Sequence, residues 1–365
     1  MRTIKLGLIG AGSISRLHCQ AVADIHGSEF IAVADISSER AHQASGRWHI
    51  PHVFEDYHDL LALDEVEGVV VTTYNQAHCA PTVAALSLGK HVLVEKPMAA
   101  TLDDAIAMTA AAHRSKGLLM VALKTRYSPP LQAAKAITSS GALGDIYYCE
   151  TVAARRCGIP GGSFIGKDTA GIGTVADIGV YSLDAALDLM GFPIPIAVSG
   201  IANNTLGKTH KPVVGSWRWD PDKLEVEDFG VAWVRFDTGA AMVFKTAWIM
   251  HLNDLGGTFF LGTRGGLRLD PLTLYRHEFG LMTDTTPQEV HPVEDIELFR
   301  REHLAFANAI REGKPSPIPP DQLLLTNMII QGLIDSSAIG REVTLALPNL
   351  NGVTPPSAPR HASVT

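Results

Sequence analysis

Ile4 to Ser15, IKLGLIGAGSIS, is an apolar run that breaks at glycine and passes into a helical pattern from Ser13 to Ile25. Gly10 and Gly12 fill the first two positions of a G-x-G-x-x-G arrangement, and Ser15 fills the third. The first glycine allows a tight turn and the second lets the backbone approach a pyrophosphate. A small third residue lets the helix pack on the strand. The helix entry, with Ser13 and Ile14 beside the glycines, offers free N–H groups and the positive end of a dipole to phosphates. Many strand–helix turns look similar. Its place on the first strand of the chain is what favours a dinucleotide loop here.

The pattern repeats outward from that turn. EFIAVAD, GVVVTT, HVLVE and LLMVAL read as strands, with helical stretches Ser38–Arg47, Ala80–Leu88 and Asp103–Lys116 between or after them. Apolar strands without alternation, separated by helices, imply a parallel sheet covered on both faces. That is a doubly wound α/β domain of the Rossmann type, expected over residues 1–124. The character changes after Arg126. A helix at Leu131–Thr138 leads into DIYYCETVAA, IAVSGIA, DFGVAWVRF, AAMVFKTAWIM and TFFLGT, with FDTG as a hairpin turn. Residues 125–347 are therefore expected to form an α+β domain with a large, mostly antiparallel open sheet, finished by helices at Leu298–Glu312 and Asp321–Ile339. The Pro-, Ser- and Thr-rich segment 348–365 is expected to be a mobile or loosely packed tail.

The composition narrows the partners. Of 365 residues, 46% are hydrophobic and 19% charged, so sizeable cores can form, and the formal net charge is −8. There is no basic block, which speaks against nucleic acid or an anionic membrane as partner. No stretch is long and apolar enough for a membrane span. Cys19, Cys79, Cys149 and Cys157 form neither a CxxC pair nor a metal-ligand spacing, so no metal is expected. Scattered cysteines fit a reducing cytoplasm. An open sheet needs cover on both faces, which implies a homodimer or homotetramer formed through the second domain.

Two further positions carry chemistry. Asp35 ends the second strand, 23 residues after Gly12. A carboxylate there binds both ribose hydroxyls of NAD and repels a 2′-phosphate, so NAD is expected over NADP. Ser37, Ser38 and Arg40 follow and leave NADP open, and a turn or N-cap role for Asp35 is the structural alternative. HVLVEKPMA places Glu95, Lys96 and Pro97 at the C-terminal end of a buried strand, the edge at which ligands of open α/β sheets bind. From local chemistry Lys96 is either a donor that polarises a substrate oxygen or a solvated lysine beside a turn.

GLIGAGSIS, TTYNQAH, HVLVEKPMA and DIGVYSLD, in this order and spacing, resemble the glucose–fructose oxidoreductase, inositol dehydrogenase and rhizopine-catabolism family (Gfo/Idh/MocA). The resemblance runs from about Ile4 to about Leu345. It implies a nicotinamide-dependent oxidoreductase of sugars, polyols and related alcohols. It implies that Lys96 touches substrate and nicotinamide ribose, and that Thr73, Asn75 and His78 line the cofactor with Glu95. Arg126 would lie near the nicotinamide at the domain junction, and Asp177 would belong to the active site. Tyr181 falls where many members carry histidine, as it does in the glucose–fructose oxidoreductases and dihydrodiol dehydrogenases. A lysine cation nearby would favour its phenolate, making Tyr181 the expected acid/base with Lys96 and Asp177.

Asp177, Tyr181 and Asp184, at i, i+4 and i+7, are expected to share one helix face. Of Arg155 and Arg156, at most one can face the substrate mouth. Trp217, Trp219, Trp233 and Trp248 suit either sugar stacking or core packing. The expected activity is hydride transfer between NAD and a secondary alcohol of a sugar, polyol or glycoside. Keto-sugar reduction with NADPH, NAD-assisted glycoside cleavage and a non-catalytic NAD(H) sensor are the alternatives.

Overall fold

Strands covered on both faces need no polar alternation, and the first third of the chain supplies them. The computed structural model describes residues 2–209, 218–351 and 353. Its first sheet contains β1 (Ile4–Ile9), β2 (Ser28–Ala34), β3 (His52–Phe54), β4 (Gly68–Val71), β5 (His91–Glu95) and β6 (Leu119–Ala122). All run parallel, in the order β3-β2-β1-β4-β5-β6. The strand order reverses between β1 and β4, which opens a crevice at their C-terminal ends. Every residue of β4 and β6 is buried.

Helices α1 (Ser15–Asp24), α2 (Ser38–Trp48), α3 (Tyr57–Leu61), α4 (Cys79–Ser87) and α5 (Leu102–Arg114) connect these strands. Their ends follow local chemistry. Thr101 caps α5 by accepting from the Asp104 N–H, with Asp103 and Asp104 in its first turn and His113 and Arg114 in its last. These charges complement the helix dipole. In contrast, α1 has no side-chain cap. It also starts later than its pattern suggests, so Ser13 and Ile14 stay in the turn.

The second sheet begins after α6 (Pro129–Ser139), whose opening prolines suit a first helical turn. In chain order it contains β7 (Ile146–Ala154), β8 (Pro195–Asn203), β9 (Phe229–Phe236), β10 (Ala241–Ala247), β11 (Phe259–Gly262), β12 (Gly265–Leu269), β13 (Leu272–Glu278), β14 (Leu281–Thr285) and β15 (Val343–Thr344). The spatial order is β14-β13-β12-β11-β7-β10-β9-β8-β15. Only the β7–β10 pair is parallel. Between β7 and β9 the chain also forms α7 (Lys167–Ala170), α8 (Thr174–Asp177), α9 (Gly179–Met190) and α10 (Thr205–Thr209). α11 (Asp295–Glu312) and α12 (Pro320–Ile339) follow the last hairpin.

One face of this sheet packs under α9 and α12, with Cys149, Val234, Phe244 and Phe260 fully buried. The other face alternates to Tyr148, Trp233, Phe259 and Leu261, all left partly exposed by the described residues.

The two cores do not divide where the sheets do. Phe306, Ala307 and Ile310 of α11, Ile318, and Leu323 and Leu324 of α12 belong to the core of the first sheet. A buried ion pair ties the halves further. Arg126 grips Asp184 of α9 with two hydrogen bonds, 2.8 and 2.6 Å, and gives a third to Gln322 of α12 at 2.6 Å. Asp184 is therefore fully buried at the junction.

The tail expected over 348–365 lies outside the described residues, apart from 348–351 and 353. Among the described residues, no helix is long and apolar enough to cross a membrane. Nor is any group of three or more His, Cys, Asp or Glu side chains arranged to hold a metal ion.

Removing one partner from a buried pair strands the other. Asp184→Ala should lower the unfolding free energy by about 3–5 kcal/mol, measured by urea denaturation. Arg126→Met with Asp184→Leu should recover most of it. A loss below about 1 kcal/mol, the scale of an exposed pair, would show that the tie does not carry the junction.

Candidate active site

The crevice between β1 and β4 is shaped for close backbone approach. Gly10 has φ +95°, and a Cβ there would lie 2.8 Å from the Thr73 nitrogen. Thr72 Oγ1 donates to the Gly10 carbonyl at 2.5 Å, tying the two strands at the point where they part. Nothing lies within 4 Å of the place a Gly12 Cβ would occupy. The uncapped start of α1, next to Gly12, Ser13 and Ile14, leaves its N–H groups facing that space. These features fit a bound pyrophosphate.

At the end of β2, Asp35 is almost buried. Its Oδ2 accepts the Ala11 N–H at 2.7 Å, and its Oδ1 accepts the Ser37 N–H at 2.8 Å. Arg40 closes on the same oxygen through Nε at 3.1 Å and Nη2 at 2.8 Å. The arginine that sequence left open for a 2′-phosphate is thus engaged with Asp35. A paired carboxylate still has lone pairs for ribose hydroxyls.

The two turns beside this crevice brace one another. Thr73 Oγ1 donates to the Ala77 carbonyl at 3.1 Å. Asn75 Nδ2 donates to the Ala170 carbonyl of α7 at 3.1 Å, so this turn also holds the glycine-rich loop of the second domain. His78 is buried between the Pro97 carbonyl at 2.9 Å and the Thr73 carbonyl at 3.2 Å. Burial depresses its pKa, more than these carbonyls and Glu95 restore it. The ring is therefore neutral, and with a single N–H it donates to one of the two carbonyls and only packs against the other.

Glu95 is also committed within the protein. Oε1 pairs with His18 Nε2 at 2.8 Å, and Oε2 accepts the Lys96 N–H at 2.9 Å. Burial alone would raise its pKa, but His18, Lys96 and His78 hold it below the usual carboxylate value.

Lys96 crosses the domain boundary. Its Nζ donates to Asp177 Oδ1 and to the Asp177 carbonyl, each at 3.0 Å, with both side chains only 13% exposed. Burial opposes its charge, yet Asp177, Tyr181 and Glu95 outweigh that and hold its pKa above the ordinary lysine value. Two of its three N–H directions are used, leaving one for a ligand.

The Tyr181 ring faces the same ammonium, 5.2 Å from ring centroid to Nζ. Here the structure corrects an expectation. Burial raises the phenol pKa, Lys96 lowers it, and Glu95, Glu302 and Asp177 raise it again, so the net shift is upward. The lysine stacks on the ring face, and its pull is outweighed.

The shared helix face is corrected as well. α8 ends at Asp177 and α9 starts at Gly179, with the Tyr181 N–H reaching back only three residues to the Ile178 carbonyl at 3.2 Å. This tight step turns Asp177 toward Lys96 and Trp248 while Asp184 turns into the domain junction. Asp177 and Tyr181 converge on Lys96 from consecutive helices.

Trp248, expected either to stack on a sugar or to pack in the core, has a role that sequence reasoning missed, its hold on Asp177. Fully buried just past β10, it donates its indole N–H to Asp177 Oδ2 at 2.9 Å. Asp177 is thereby clamped, one oxygen on Lys96 and the other on Trp248. The AWIM segment that ends a strand was the available signal. Trp219 is buried with its N–H on the Gly207 carbonyl, Trp233 lies on the open sheet face, and Trp217 lies outside the described residues. Arg126 is spent on Asp184 and Gln322, as described above. Arg156 is exposed and donates to Asn253 Oδ1 at 2.9 Å. A recess of about 1090 Å³ beside β11–β14 contains none of these residues and is not this site.

Residues 4–123 match the family described as "Oxidoreductase family, NAD-binding Rossmann fold", and residues 131–268 match the "GFO/IDH/MocA C-terminal domain". The chain belongs to the Gfo/Idh/MocA oxidoreductase family. As a member it is an NAD-binding oxidoreductase. Its similarity to the D-glucoside 3-dehydrogenase of Escherichia coli K12 spans nearly both whole chains, at 28% identity over 94% of this chain and 97% of that protein. With the inositol 2-dehydrogenase of Salmonella typhimurium it shares 35% identity over 39% of this chain and 43% of that protein. A structure of levoglucosan dehydrogenase in complex with NADH has the same fold, with a TM-score of 0.81 at 21% identity, covering 94% of this chain and 100% of that one.

The Asp35 carboxylate should make this Gfo/Idh/MocA chain bind NADH more tightly than NADPH in a fluorescence titration. Asp35→Ser should narrow the difference, because Arg40 is then released toward a 2′-phosphate. A wild-type preference for NADPH would overturn the ribose assignment.

Proposed function

We propose that this enzyme oxidises a secondary alcohol of a cyclic sugar, polyol or glycoside, with Tyr181, Lys96 and Asp177 as its catalytic residues. The observation that carries the reading is the Lys96–Asp177 pair beside Tyr181, at the end of β5 and adjoining the nucleotide crevice. The near full-length similarity to a D-glucoside 3-dehydrogenase favours a ring hydroxyl as the group oxidised. Bound NAD supplies the hydride acceptor.

The residues divide the remaining work. Lys96 directs its free N–H at the substrate oxygen and stabilises charge developing there. Asp177, fixed by Trp248, keeps that ammonium in place and ionised. Tyr181 exchanges the hydroxyl proton through its phenol oxygen. Because the phenol is neutral at rest, it takes the substrate's proton only as it passes its own to solvent water, and the ammonium over its ring stabilises the phenolate character that develops during that relay. Gly10, Gly12, Ser13, Ile14, Asp35, Thr73 and Asn75 border the cofactor. His78, Glu95 and Arg126 hold the turns and junction around it. Free cysteines fit a reducing cytoplasmic setting.

The deciding assay is a panel of sugars, polyols and glycosides with NAD and with NADP, read as absorbance of the reduced cofactor. Tyr181→Phe keeps the ring and removes the proton-transferring oxygen. Turnover should fall about 10²–10⁴-fold, with NADH affinity preserved. Lys96→Ala should lose turnover comparably, and the double variant should be little worse than either single one. A Tyr181→Phe enzyme that keeps most of its turnover, on a substrate whose chemical step limits the rate, would leave Tyr181 as a packing residue.

We also propose that the open face of the second sheet pairs with another copy of the chain. Trp233, Leu261 and Ile201 are each more than a third exposed there, an apolar surface that a monomer leaves wet. Light scattering should report a dimer or tetramer at micromolar concentration, and Trp233→Glu should shift it toward monomer. A monomeric wild type would refute this.

A further inference from the structure

Three strand ends meet at one edge of the second sheet. Ala154 at the end of β7 and Phe229 at the start of β9 both stand opposite Ala247 at the end of β10. The residues just beyond, Trp248 on one strand and Glu227 and Asp228 on another, share this rim. The Trp248 main-chain N–H donates to the Asp228 carbonyl at 2.8 Å, while its indole reaches Asp177. Glu227 approaches the same short helix from its start. Its carbonyl accepts the Thr174 N–H at 3.0 Å, and its Oε1 accepts the Val175 N–H at 3.1 Å. The backbones nearly touch, since a Cβ on Gly173 would lie 2.1 Å from the Glu227 oxygen. The carboxyl is thus fastened two residues from Asp177.

Oε2 of Glu227 has no hydrogen-bond partner among the described residues, yet it is not one of the sealed, orphaned side-chain atoms of the interior. Glu227 keeps part of its surface open to solvent. Burial nevertheless lifts its pKa to about 7, against the opposing effect of the N–H groups of Gly173, Val175 and Glu227 itself. The carboxyl is thus deeply surrounded while the residue keeps some solvent access. Placing a carboxyl there is costly, and neither the fold nor the proton transfer described above uses the acceptor capacity left beyond those N–H groups.

We propose that Glu227 is a substrate-contacting residue whose Oε2 accepts a hydrogen bond from a ring hydroxyl away from the carbon being oxidised. The proposal rests on the sugar or polyol reading and deepens it. The ligand chemistry is an unsubstituted hydroxyl, which donates to the carboxylate form and can equally pair with the protonated form that the raised pKa admits near neutral pH. Asp177 and Lys96 hold the reacting carbon, and Glu227 fixes the ring's orientation from the neighbouring turn.

The test compares wild type, Glu227→Gln and Glu227→Ala on methyl glucosides, myo-inositol and monodeoxy glucosides with NAD. Glutamine keeps an acceptor for the Val175 N–H, and so keeps α8, while removing the charge. Both substitutions should raise KM for the parent substrate about 10–100-fold, the scale of a hydrogen bond to a charged group. The effect on kcat should be smaller, and NADH affinity should stay unchanged. For one monodeoxy substrate the wild-type KM should already be raised, and the substitutions should add little. A parent KM that stays at wild type in Glu227→Gln would overturn the contact. So would an equal rise for parent and every monodeoxy substrate, which marks a structural effect. Failure of wild type to oxidise anything in the panel would instead bring down the sugar and polyol reading, and this inference with it.

Discussion

The ion pair between Lys96 and Asp177 is the constraint around which the site is built. It joins the end of a parallel strand in one sheet to a short helix over the other, and both partners are nearly desolvated. Such a pair contributes little net stability, since desolvation cancels much of the Coulombic attraction. Its value here is geometric. To keep the ammonium charged, Asp177 must be held still, and the Trp248 indole does that. To keep Lys96 aimed across the boundary, its turn must be rigid. Glu95 with His18 stiffens one side of that turn, and His78 stiffens the other.

The same reasoning explains why so many polar side chains are enclosed near the junction. Arg126, Asp184 and Gln322 link the two sheets' helices from below, while Asn75 reaches from the nucleotide side to the glycine-rich loop above. Both contacts join segments far apart in sequence. A site assembled from two sheets requires their spacing to be fixed to a fraction of an ångström, and fully satisfied buried hydrogen bonds specify a unique arrangement better than apolar contact does.

Much of this was legible in the sequence. The parallel sheet followed from unalternating apolar strands, and its crevice from Gly10 and Gly12 at the first turn. Lys96, Asp177 and Tyr181 came from family resemblance, and the structure brings them together. What stayed hidden depends on long-range packing. The break at Ile178 is invisible in a pattern whose polar spacing reads as one helix. Arg40 is a local exception: the turn into α2 folds it back on Asp35, only five residues earlier, which the letters alone do not show. Trp248 has no motif, since its role exists only once β10 ends beside α8. The upward shift of the Tyr181 phenol reflects burial by two cores at once, which neighbouring letters do not encode. Strands β12 to β15 are short or polar and lack the apolar runs that marked the others.

The return of α11 and α12 to the first core has a consequence for biosynthesis. Six side chains between Phe306 and Leu324 complete a hydrophobic interior whose strands lie within the first 122 residues. A nascent chain emerging from the ribosome must therefore expose part of that interior through nearly two hundred further codons. The nucleotide-binding half cannot close as an independent unit during vectorial synthesis. Its surface under the missing helices is the place where a holdase chaperone would engage the unfinished polypeptide.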